Sequence, residues 1–178
     1  MECEEDMKRT ISVLGLAALA ACGGVDHQGL QAASTLRPLG DSGASGEVTF
    51  IERSNGRVLV VARFSGLRPY AEHGFHVHER GDCNGPDAPG GHFNPKKLAH
   101  GHLGVGGRHA GDLPNLRTDA RGRASTSIEV NTLSVKEGER SVLGRSVVVH
   151  AMPDDYRSEP AGNSGPAIAC GVVQKAGT

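Results

Sequence analysis

The sequence predicts an all-β domain, a sandwich or barrel of seven or eight short strands, on three observations. Twenty-six glycines are spread through 178 residues with few long helical patterns, so short elements and many turns are expected. Short apolar runs alternate with polar residues at the period of a strand. One long stretch, 81–115, has no periodicity at all, and loops of that length in compact domains usually carry function. The length suits one domain, or one domain plus a leader. A net charge of -1 gives no reason to expect nucleic acid or an anionic membrane surface as partner. Only 3% aromatic residues and no Trp leave no stacking platform for single strands.

The first 22 residues are read as a leader. From Met7 they run Lys8, Arg9, then an apolar stretch from Ile11 to Ala21, then Cys22. A basic start followed by a short apolar core ending in small residues is the layout of a secretory signal, too short to span a membrane as a helix. Leu19-Ala20-Ala21-Cys22 resembles the lipobox of bacterial lipoproteins, whose cysteine is lipidated; an ordinary signal peptide is the alternative. Glu2, Glu4, Glu5 and Asp6 do not suit a signal, so translation from Met7 is the simplest reading. Residues 23–29, with His27, form a tether, and 30–178 form the domain. Cys3 then lies in the leader and Cys22 carries lipid, which leaves Cys83 and Cys170 to pair as one disulfide in an exported domain.

The strands follow in order. Leu30–Leu36 is a weak first one. Glu47–Arg53 alternates, with Val48, Phe50 and Glu52 on one side and Thr49 and Ile51 on the other. Asn55-Gly56 is a hairpin dipeptide and leads into Arg57–Phe64. Gly66-Leu67-Arg68-Pro69 breaks the pattern before the strand containing His76-Val77-His78. After the long loop, strands resume at Arg123–Val130 and Ser146–His150. A second loop, Ala151–Gly165, leads to the last strand, Ala167–Val173.

The chemistry concentrates between Gly74 and Asp112, which hold six of the nine histidines. His76 and His78, two apart on a strand, point to one face. His92, His100, His102 and His109 follow in Gly- and Pro-rich sequence, and Asp112 lies three residues after His109. Neutral imidazoles with one carboxylate suit zinc and copper, so a metal site is the first hypothesis.

The runs GFHVHERGD, GGHFNP, RHAGDLPN, LGRSVVVHA and ACGVV, in this order, resemble a copper/zinc superoxide dismutase, most closely its exported bacterial branch. The resemblance covers about residues 28–175. It implies a flattened Greek-key β-barrel or sandwich of about eight antiparallel strands with two long functional loops. It implies one copper and one zinc per subunit: copper on His76, His78, His92 and His150, zinc on His92, His100, His109 and Asp112. His92 would bridge the two, and Asp154 would join His76 to His100 and fix their tautomers. The Cys83–Cys170 disulfide would clamp the long loop to the last strand. The implied activity is disproportionation of superoxide to dioxygen and hydrogen peroxide, in the periplasm or cell envelope, with a lipid anchor at Cys22. Exported relatives occur as dimers and monomers, so a homodimer stays open.

One position departs from the pattern. Ala167 stands where the family places an anion-steering Arg three residues before the second disulfide cysteine. Arg157, Lys96 and Lys97 are the candidate replacements. Loss of that charge is the one feature favouring the alternative of a non-catalytic envelope copper/zinc-binding protein. His102 is read as an exposed loop residue and His73 as a hydrogen-bonded core histidine.

Overall fold

The computed structural model describes residues 30–104 and 106–177; the leader, its Cys22, the tether and His27 lie outside them. Ten strands follow one another: β1 (Gln31–Pro38), β2 (Ser45–Glu52), β3 (Val58–Ser65), β4 (Glu72–His73), β5 (Phe75–His78), β6 (Leu116–Arg117), β7 (Ala124–Val130), β8 (Ser146–His150), β9 (Ala167–Val172) and β10 (Gln174–Lys175). The seven strands expected from the sequence are β1, β2, β3, β5, β7, β8 and β9. The other three are two residues long, too short for any periodic signal. No helix occurs among the described residues.

All strand pairings are antiparallel. The main sheet runs β5-β8-β9-β1-β2-β3-β7, with β10 also on β1, while β4 and β6 pair separately. After β3 the chain crosses to β5 at the far end, returns to β7 beside β3, then goes back to β8 beside β5. This over-and-back path is a Greek key. Strand β1 curls the sheet by changing partners: Ala32 and Ala33 face β10, whereas Arg37 and Pro38 face β9.

Alternation fills the interior. Val48 and Phe50 of β2, and Val58, Val60, Ala62 and Phe64 of β3, are buried together with Phe75, Val77, Val147 and Val149. At the end of β2 the alternation breaks, since Ile51 and Glu52 are both buried. Burial of Glu52 has a clear cause: it accepts hydrogen bonds from the Val135 amide at 2.8 Å and the Ser134 hydroxyl at 3.2 Å. It thereby anchors the segment between β7 and β8, whose Leu133, Val135 and Val142 complete the core.

The opposite face of β5, β8 and β9 matters for function. His76 pairs with Val148, and Val148 with Cys170. Val148, Ala167 and Cys170 form a small separate cluster there, with Leu39 and Cys83 against it. Cys83 is disulfide-bonded to Cys170, with Cα atoms 5.6 Å apart, which fastens the start of the long loop to β9. A register shift between Val149 and His150 sets His150 opposite Ala167; such bulges re-aim a side chain at a strand end.

Candidate metal centre

With Phe75 and Val77 committed to the core, His76 and His78 project from the other side of β5, where the two loops cover them. The long loop is fastened to the edge of β5 that β8 leaves free. The Val77 amide donates to Gly111 O at 3.0 Å, Phe93 N to Val77 O at 2.8 Å, and Gly111 N to Phe93 O at 2.9 Å. These bonds bring His92 and Asp112 beside the two strand histidines, in bridge pairs His78–His92 and His76–Asp112. A side chain at Gly111 would collide with the Val77 carbonyl, so only glycine permits this approach.

Four of the imidazoles, His76, His78, His100 and His150, are held by one nitrogen and present the other. His78 Nδ1 donates to Gly90 O at 2.8 Å and His150 Nδ1 to Gly165 O at 2.9 Å. Both Nε2 atoms then carry lone pairs, and they face each other at 3.3 Å. Two such lone pairs repel unless a cation lies near them. His76 Nε2 donates to Asp154 Oδ2 at 2.9 Å and His100 Nε2 to Asp154 Oδ1 at 2.8 Å. His76 Nδ1, His92 Nε2 and His100 Nδ1 are buried with no hydrogen-bond partner. Buried polar atoms are rarely left unpaired, and here they converge.

Two sets result, His76, His78, His92 and His150 on one side and His92, His100, His109 and Asp112 on the other. Within each, one donor atom per residue lies within 4.8 Å of all the others. His92 belongs to both, with Nδ1 2.8 Å from Asp112 Oδ1 and Nε2 unpaired. Asp112 Oδ1 has three Nδ1 atoms around it, from His92 at 2.8 Å and from His100 and His109 at 3.2 Å. One oxygen has two lone pairs for three nitrogens. Asp112 Oδ2 is already taken by the amides of Gly101 and His109. A cation among three nitrogens and one oxygen resolves that crowding, and the donor types are those zinc takes in closed sites. The four-imidazole set suits copper. The residues present therefore fit both metals.

Electrostatics separate the two sets. Burial lowers His76 to about 3 and His150 to about 4, and His78 also falls well below 6.5, so these imidazoles are neutral and able to ligate. At His100 burial acts the same way but is overridden by the adjoining carboxylates of Asp112 and Asp154, which push it up to about 10. Burial would raise Asp112 and Asp154, yet bonds from the surrounding histidines hold both well below the usual carboxylate range.

Several supporting groups have no signature in the sequence. Asn115 grips Asp154 through its backbone, accepting from the amide and donating to the carbonyl, both at 2.9 Å. Glu159 accepts from His100 N at 2.6 Å. Gly162, at φ 63°, lies so close that a Cβ would strike Asp154 Oδ1. His73 is buried, with Nδ1 2.8 Å from His150 O, and His102 is exposed against the Tyr156 ring. Ala167 carries no charge beside His150, and none of Arg157, Lys96 or Lys97 makes a side-chain bond to the four-histidine set. Lys96 lines a cavity with none of those histidines in its wall.

Comparison with known proteins gives one consistent result. Residues 44–173 match the family model for copper/zinc superoxide dismutase. A protein named superoxide dismutase (Cu-Zn) 2 from Aquifex aeolicus is 44% identical over 135 residues, covering 72% of this chain and 78% of that one. Superoxide dismutase (Cu-Zn) from Yarrowia lipolytica is 43% identical over 152 residues, 81% of this chain and 97% of its own. Among solved structures, the clock protein EA4 superposes with a TM-score of 0.76 at 35% identity, covering 83% of this chain and 96% of that one.

Proposed function

The chain belongs to the copper/zinc superoxide dismutase family, and we propose from that membership that His76, His78, His92 and His150 hold its copper and His92, His100, His109 and Asp112 its zinc. The reaction is disproportionation: two superoxide anions and two protons give one dioxygen and one hydrogen peroxide. Copper held by the first set would supply the one-electron couple for both halves, and zinc held by the second would supply a fixed positive charge. The observation that carries the residue assignment is the sharing of His92 between two converging donor sets.

The remaining roles belong to the chain. Gly90 and Gly165 carbonyls and the Asp154 carboxylate hold three imidazoles in the tautomers that turn lone pairs inward. His76 has no exposure, whereas His78, His92 and His150 keep 6% each, so an approaching anion would meet the four-histidine set away from His76. His92 Nε2, which has no hydrogen-bond partner among the described residues, would be the nitrogen that holds a proton for the peroxide product. In the second set Asp112 is tied to the Gly101 amide and His100 to the Asp154 carboxylate, which would hold that set rigid.

The same reading extends to the N-terminus. Cleavage before Cys22 and lipidation there would hold the domain at a bacterial envelope membrane, in the periplasm; the signal-like stretch from Met7 to Cys22 supports this. Mass spectrometry of the membrane-extracted protein would reveal a diacylglyceryl-modified Cys22, and an unmodified soluble form starting elsewhere would refute it. The activity is tested by superoxide decay with the chain loaded with one copper and one zinc. Rapid copper-dependent decay is expected. Stoichiometric copper binding without turnover would overturn it in favour of metal buffering.

A further inference from the structure

On the side of the long loop away from β5, between it and the β7–β8 connection, is a cavity of about 350 Å³. Its wall includes Lys96, Leu98, Arg108, Asn131 and Arg140, and contains no carboxylate. None of the seven residues of the two donor sets lines it. Three cations, two from the long loop and one from the β7–β8 connection, thus face one space whose wall holds no carboxylate, although the Asp112 charge lies close to Arg108.

Arg108 is the unusual member. It is 7% exposed, a depth at which arginines are almost always paired. Its Nε donates to Asp112 O at 3.4 Å, but Nη2 is buried with no partner, and Arg108 forms no ion pair among the described residues. Leaving such a donor without an acceptor is unfavourable, and a guanidinium fork suits planar or tetrahedral oxyanions. Lys96 and Arg140 are both exposed, so they stand at the mouth, and Arg140 is steadied by donating to Asn131 O at 2.7 Å. Gly107, at φ 86° with open space where a Cβ would be, keeps that part of the wall free of side chains.

We propose that this cavity is a binding site for a small oxyanion of the phosphate class, with Arg108 as its inner anchor and Lys96 and Arg140 at its entrance. The pocket is of small-ligand size, and Arg108 and Arg140 are each held by a hydrogen bond before the ligand arrives, which spares the ordering of two long side chains on binding. The site is separate from the superoxide-facing histidines, so its existence does not depend on the activity of that centre.

Isothermal titration of inorganic phosphate into the copper- and zinc-loaded protein, in a phosphate-free buffer at low salt, tests this. One saturable site per chain is expected. Lys96→Ala and Arg140→Ala, both exposed and neutral to folding, each weaken it by about threefold or more, and Arg108→Gln by about tenfold or more. Absence of saturable binding to the parent protein would overturn the proposal. So would binding that both entrance variants leave within about twofold, since phosphate would then be held elsewhere, the histidine cluster included.

Discussion

Asp154→Asn tests how the two donor sets are coupled. In the parent protein one carboxylate accepts from two imidazole N–H groups, His76 Nε2 at 2.9 Å and His100 Nε2 at 2.8 Å. An asparagine has the same shape but one accepting oxygen, and its NH₂ would face the second imidazole donor to donor. That imidazole must give up its Nε2 proton, and the proton moves to Nδ1, the atom turned into the donor set. At least one metal then meets an N–H in place of a lone pair. Loss of such a partner typically lowers metal affinity 10–100-fold, roughly 1.4–2.8 kcal/mol. Competition against chromophoric chelators, run separately for copper and zinc, measures it. The expected result is a drop of about tenfold or more for at least one metal, with folding retained. Affinities for both metals within about twofold of the parent would show that Asp154 does not set the tautomers, and the reasoning would fail.

Other perturbations have definite outcomes. Ala167→Arg introduces a guanidinium opposite His150 in the register, and should raise kcat/KM at low ionic strength by several-fold, with the gain shrinking as salt screens it; an unchanged rate at low salt would remove the steering argument. Reducing Cys83–Cys170 frees a loop of 87 residues, which the chain-entropy model values at about 4–5 kcal/mol, readable as a lowered midpoint in denaturant. In the metal-free protein His76 is lowered to about 3 and His150 to about 4, against 6.5 in the unfolded chain. The unfolded chain therefore binds more protons between those values. The stability these two histidines contribute is fully present above about pH 6.5 and declines towards pH 4, by roughly 3 kcal/mol for His150 alone. A flat thermal midpoint over that range would contradict the burial of neutral imidazoles.

Much of the centre was legible because its residues sit on periodic elements. His76-Val77-His78 announces one face of a strand, and His150 closes the next apolar run, Ser146–His150, which pairs with it. The aperiodic loop was recognisable as functional, but its route was not. His92 and Asp112 are positioned by backbone bonds among Val77, Phe93 and Gly111, which no side-chain pattern encodes. The same holds for Gly90 and Gly165, which act through their carbonyls, and for Gly162, whose place is dictated by the space Asp154 occupies. Glu52 shows the converse. Its register on β2 was readable, but its partners, Ser134 and Val135, come from a segment with no strand pattern. Lys96, a candidate steering cation by proximity in sequence, turns instead into the cavity shared with Arg108 and Arg140.

The central claim is that His92 stands between two metals, with its two nitrogens in different sites. Anomalous scattering from crystals of the copper- and zinc-loaded protein, collected at both absorption edges, tests it most directly. Two peaks should flank His92, copper among His76, His78 and His150 and zinc among His100, His109 and Asp112. A single shared peak, or zinc displaced to His102, would contradict it.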